Sequence, residues 1–253
     1  MYRIVRTREP GSLFRLVLRD TLLIFILWSV ILRSGFIGDM ESGKTGTAVH
    51  QAVPGQIHVR CHGATAFERD CAVRAAGEVE GLYRKLGFFP VDDPGYHIFF
   101  MDTLNAGEKT IDWALGVYCC EKHQVLMSHY DGDIFQRNER FEGCNKEDIY
   151  FSIVAHEIAH HYNACISPGL LPPVDEAIAG FVQYTLMDPE LRRLQLAVHP
   201  AGMHSYREMV MSRYINDPDE FLASSYLYLR DHPLILKRWL NGQGPFPKDP
   251  FLL

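Results

Sequence analysis

An α+β fold is predicted for this chain, with a small N-terminal mixed sheet leading into one long helix and then a helical C-terminal half. Two observations predict it. Short strand-like runs rich in β-branched and aromatic residues fall before residue 130, and from residue 145 onward apolar residues recur at helical spacing instead.

Taken in order, residues 56–60 read as a short strand. Residues 65–86 place Phe67, Cys71, Val79, Leu82 and Leu86 on one helical face and stop before Gly87, a common C-terminal stop. Residues 96–101 (YHIFFM) form a second strand, and 115–120 and 124–128 two more, joined by a charged turn at 121–123. The strongest helix spans 146–162, because Phe151, Val154, Ala155, Ile158 and Tyr162 follow the i, i+3, i+4, i+7 rule. Asn145 is its N-cap, and Asp148 complements the positive end of the helix dipole. Pro168, Gly169, Pro172 and Pro173 force a loop, after which helices are expected over 174–187, 205–214, 219–230 and 233–240.

With 253 residues, 47% of them apolar and 22% charged, the chain buries a core without disulfide support. A formal charge of −6 argues against nucleic-acid binding, which calls for a basic face to replace counterions on phosphate. The charge is uneven. Residues 1–38 hold Arg3, Arg6, Arg8, Arg15, Arg19 and Arg33 against Glu9 and Asp20, which leaves 19 basic and 29 acidic groups for residues 39–253. Among these arginines runs TLLIFILWSVIL, residues 21–32, which has the length of an export signal's apolar stretch. A full membrane span needs roughly 20 apolar residues. Residues 1–38 are therefore expected to be an export signal or signal anchor, 39–54 a linker, and 55–253 the folded domain, placed outside the cytoplasm by the positive-inside bias and, where the segment is retained as an anchor, tethered to the membrane through residues 21–32.

All six cysteines follow this segment. Their even number allows three bridges in an oxidising compartment, with six free thiols as the alternative. Cys144 and Cys165 flank the strongest helix and stand too far apart to pair with each other.

Within that helix stands His156-Glu157-Ile158-Ala159-His160. Two histidines four residues apart project from one helical face and can share one zinc ion, with the glutamate between them beside the metal's open position. A catalytic zinc takes three protein ligands plus water, and Glu176, on the next helix, is the candidate third. Asp175 is the runner-up. His161 lies about 100° around the helix from His160 and is expected to make a surface or supporting contact. His58, His97, His123 and His129 lack metal spacing to one another and are taken as structural or surface residues. The metzincin pattern, Gly and then His after the pair, is excluded by Asn163 and Ile166.

VAHEIAHHY followed by LLPPVDEAIAGFVQY resembles the gluzincin metallopeptidases, especially the peptidase MA-like group, over about residues 148–184. The resemblance implies a zincin-like fold, Zn2+ held by His156, His160 and Glu176, Glu157 as general base, and a peptide or protein substrate. Where thermolysin-like enzymes place an acid four residues after the ligand glutamate, this chain has Gly180, which leaves that histidine-orienting role unassigned. The Gly-x-Met-Glu-Asn segment of the aminopeptidase branch is absent. Enzymes of this type supply an oxyanion donor from the C-terminal helices; Tyr226 is the choice here, with Tyr228, His204 and His232 as alternatives. In position, the strand near 115–120 resembles the edge strand above the active-site helix, where an extended peptide adds as one more strand. The competing expectation is a catalytically silent zincin-like domain that binds peptides or a cell-envelope partner.

Overall fold

A computed structural model describes residues 59–90, 95–102, 104–106, 109–111, 115–138, 143–198 and 218–242. The expected export signal, linker and helix at 205–214 lie outside the described residues, as do His58 and His204. Along YHIFFM buried and half-buried side chains alternate, with Tyr96, Ile98 and Phe100 buried, and β2 (Tyr96–Met101) is one of the two inner strands of a four-stranded sheet. The order is β1 (Val59–His62), β2, β6 (Gln124–Ser128), β5 (Gly116–Cys119). β1, β2 and β6 run parallel, with Cys61 opposite Ile98 and Ile98 opposite Val125. β5 is an edge strand antiparallel to β6, with Val117 opposite Leu126. β3 (Leu104–Ala106) and β4 (Lys109–Ile111) form a separate two-stranded ribbon. Apart from residues 105–110, the described residues fall in one compact unit.

The parallel pair β1–β2 needs a crossover, and α1 (Ala66–Leu86) supplies it. Thr65 and Glu68 start that helix as a capping box, each side chain bonding the other's backbone N–H, and Gly87 ends it in the left-handed conformation (φ 89°). A single turn, α2 (Asp133–Gln136), precedes α3 (Lys146–Ile166). α3 begins as expected: Asn145 Oδ1 accepts from the N–H of Glu147 at 3.1 Å, and its Nδ2 donates to Asp148 at 2.7 Å. α3 extends four residues past the expected end.

α4 (Pro172–Leu186) carries its two prolines in the first turn, where helical N–H groups lack partners anyway. α5 (Pro189–Val198) was not foreseen; Asp188 caps it by accepting from the N–H groups of Glu190 and Leu191. α6 (Pro218–Asp231) and α7 (Pro233–Leu240) complete the helical half. The result is an α+β fold with a small mixed sheet and a mostly helical remainder.

α3 packs against α1, α4 and β5, so from Ile149 to Asn163 every side chain except the half-buried Ile153 is buried. Each fully buried aliphatic residue there, such as Val154 or Ile158, contributes about 1.5–3 kcal/mol. α4 in turn packs on α6, and a Cβ at Gly180 would meet Leu222 Cδ2 at 2.8 Å. A longer side chain would push the two helices apart. Among the described residues no helix is long and apolar enough to cross a membrane. The six cysteines are unbridged. Burial pushes the Cys71 thiol up to about 12 and Cys61 to about 11, which leaves both inert at neutral pH.

Glu68 does more than cap. Its fully buried carboxylate accepts from the N–H of Thr65 and of Tyr130, both at 2.8 Å, and meets His129 Nδ1 at 3.0 Å, tying α1 to the segment after β6. Burial alone would raise its pKa, but these donors outweigh burial and hold it below the ordinary glutamate value. A lowered folded-state pKa means that the stabilisation is complete above the unfolded value of about 4.3 and is lost as pH falls through the folded value. Glu68→Ala is expected to cost about 3 kcal/mol in urea denaturation at pH 7 and to flatten the loss of stability below that unfolded value. An unchanged acid limb would show that Glu68 does not carry it.

Candidate metal centre

One turn of helix separates His156 from His160, so both rings leave α3 on the face that α4 covers, and Glu176, one turn into α4, reaches them from the other side. The two Nε2 atoms stand 3.1 Å apart. Glu176 Oε2 lies 3.3 Å from His156 Nε2, and its Oε1 lies 3.7 Å from His160 Nε2. A tetrahedral ion with metal–nitrogen and metal–oxygen bonds of about 2.0–2.2 Å sets its ligand atoms about 3.3–3.5 Å apart, so separations of 3.1, 3.3 and 3.7 Å bracket that spacing and small side-chain shifts would seat a zinc-sized ion. The structure thus brings together the three ligands expected from the sequence.

Asp175 stands elsewhere than at the ligand position considered for it. His160 donates from Nδ1 to Asp175 Oδ2 at 2.9 Å, which fixes the ring with Nε2 toward Glu176. The support continues outward. Asn163 Nδ2 donates to Asp175 Oδ1 at 2.7 Å, and the buried Tyr83 hydroxyl on α1 donates to Asn163 Oδ1 at 2.5 Å. Asp175 therefore fills the orienting role that Gly180 leaves open. His156 Nδ1 is buried with no protein partner, so only one of the two rings is held from behind.

Charge points the same way. Burial disfavours the protonated His160 ring, yet the carboxylates of Asp175 and Glu176 raise its pKa to about 10. Burial would raise Glu176 as well, but His160 and His156 bring it down to about 2. Glu157 is raised by burial, partly offset by the two histidines. The carboxylates of Asp175 and Glu176 thus favour positive charge at the His160 ring, which a proton or a bound cation can supply.

Glu157 is buried between α3 and the sheet edge. A Cβ at Gly116 on β5 would meet its Cγ at 2.5 Å and its Oε1 at 2.8 Å, so only glycine leaves room for this carboxylate. No local signal marks Gly116, because the contact spans 41 residues of sequence. Gly116→Ala is expected to displace the Glu157 carboxylate and leave the histidine pair in place. A crystal structure of the variant checks this; an unmoved carboxylate would mean that the contact is relieved elsewhere. If the cluster holds zinc, Asp175→Ala is expected to weaken that binding by about 10–100-fold without abolishing it, as competition with a chelator would show.

Tyr226 stacks on Tyr184 at 5.5 Å and Phe181 at 6.1 Å, with the guanidinium groups of Arg192 and Arg230 over its ring. These are packing contacts, and none is with the histidine pair. His232 donates from Nδ1 to the Tyr228 carbonyl at 2.8 Å and stacks on that ring, so neither faces the site through these contacts. His161, expected at the surface or in support, is fully buried; Tyr118 OH lies 3.2 Å from its Nδ1, and the Tyr118 ring lies parallel to that of His160. The dense packing of α3 against β5 removes any solvent face at this point.

The profile of a family described as "Family of unknown function (DUF6639)" matches residues 97–242, more than half of the chain. No curated protein and no solved structure matches.

Proposed function

We propose, for a chain that belongs to the family of unknown function DUF6639, the activity of a zinc-dependent peptidase of gluzincin type on a zincin-like fold. One observation carries the reading: two imidazoles and a carboxylate converge at ligand spacing while a fourth group, Glu157, stands beside them under an edge strand. A structural metal site has no use for that fourth group.

His156, His160 and Glu176 would hold the ion, which when bound lowers the pKa of its water toward about 7 and polarises a carbonyl. Glu157 takes a proton from the attacking water on its carboxylate and returns it to the leaving amine. Asp175 keeps His160 in the tautomer that offers Nε2. Among the described residues β5 pairs with β6 and ends the sheet, so an extended peptide adding along it as one more strand would lie across Glu157. The arginine-flanked apolar run at residues 21–32 supports export, with the site outside the cytoplasm.

The test is metal analysis of the full chain together with mass spectrometry of a mixed peptide library, before and after chelation and after zinc is restored. About one zinc per chain and cleavage that follows the metal support the proposal. A zinc-loaded chain that leaves the library intact overturns it in favour of the peptide-binding reading.

A further inference from the structure

A second cluster of metal-ligating side chains lies around α3 from the first. His161 and Cys165 are four residues apart on α3 and so share a face, and His123 reaches them from the turn between β5 and β6. One ligand atom from each of the three lies within 4.8 Å of the other two. Cys165 Sγ stands 3.7 Å from His161 Nε2, close to the roughly 3.6 Å that a tetrahedral ion imposes with bonds of about 2.3 Å to sulfur and 2.0–2.1 Å to nitrogen. The His123 ring meets that of His161 edge-on at 5.5 Å.

We propose that His123, His161 and Cys165 form a second metal site, selective for a zinc-class ion by its two-nitrogen, one-sulfur donor set. The arrangement parallels the first centre. There Asp175 holds Nδ1 of a histidine whose Nε2 faces the ion; here the Tyr118 hydroxyl lies 3.2 Å from Nδ1 of His161 and leaves its Nε2 toward Cys165. The same hydroxyl is 3.4 Å from His123 Nδ1. Binding releases the thiol proton of Cys165 to solvent and leaves a thiolate ligand.

The ion acts as a clip. His123 closes the β5–β6 turn in the left-handed conformation (φ 49°), so tying it to α3 fixes the edge strand whose Gly116 borders Glu157. The site stands independently of the proposed peptidase activity, since it shares no ligand with the first.

Cobalt(II) distinguishes the two centres, because only a sulfur ligand produces a thiolate-to-metal charge-transfer band in the near ultraviolet. The full chain, reduced and stripped of metal, is titrated with cobalt. Two equivalents are expected, one of them carrying the band. Cys165→Ser removes the band and one equivalent; His123→Ala, a change in a turn, weakens the band-forming equivalent at least about 100-fold if the serine variant does not fold. His156→Ala removes the other equivalent and keeps the band. A folded wild-type chain that shows no band, or a band that survives in Cys165→Ser, overturns the proposal.

Discussion

On the proposed peptidase reading, Glu157→Gln is expected to bind zinc and fold like the wild type and to lose peptide cleavage by about 10²–10⁴-fold. The amide has nearly the shape of the carboxylate, so the tight contact with Gly116 is preserved, but it takes up no proton from water. A neutral group at this buried position also removes a charge that burial disfavours, so thermal stability should hold or rise. Zinc content and library turnover, measured on one preparation, give the comparison. Cleavage within tenfold of wild type would remove Glu157 from the chemistry and with it the peptidase reading.

Glu176→Ala should act on the other half of the site. It removes the proposed ligand on α4 and leaves two histidines, so any zinc affinity is expected to fall by more than about 10³-fold, and with it any cleavage that depends on the metal. The neighbouring Asp175→Ala gives the calibration: its loss is bounded by the smaller effect of an orienting group. Competition with a chelator of known affinity ranks the two. If Asp175→Ala proved the more damaging, Asp175 would be a ligand after all and the hydrogen bond to His160 would be incidental.

The sequence made α3 legible because its start and its periodicity are local: Asn145 caps, Asp148 answers the dipole, and the apolar rows repeat. The histidine pair was legible for the same reason, and Glu176 through a loop short enough to keep two helices adjacent. Periodicity was silent on how completely α3 is enclosed, since Ser152, His161 and Asn163 are polar side chains on different sides of the helix and are buried because α1, α4 and β5 all pack on it. Gly116, Tyr83 and His123 act through contacts spanning 41, 80 and 38 residues, and no local pattern encodes such encounters. α5 escaped because Pro189 reads as a breaker, although it sits in the first turn, where proline suits a helix.

The family match begins inside β2, so β1 and α1 fall before it. Tyr83, however, anchors the relay that runs through Asn163 and Asp175 to His160, and it does so from α1. Residues 97–242 are thus a unit of comparison rather than a unit of folding: trimmed to them, the chain would keep every proposed ligand while losing a parallel strand and the outermost prop of its centre.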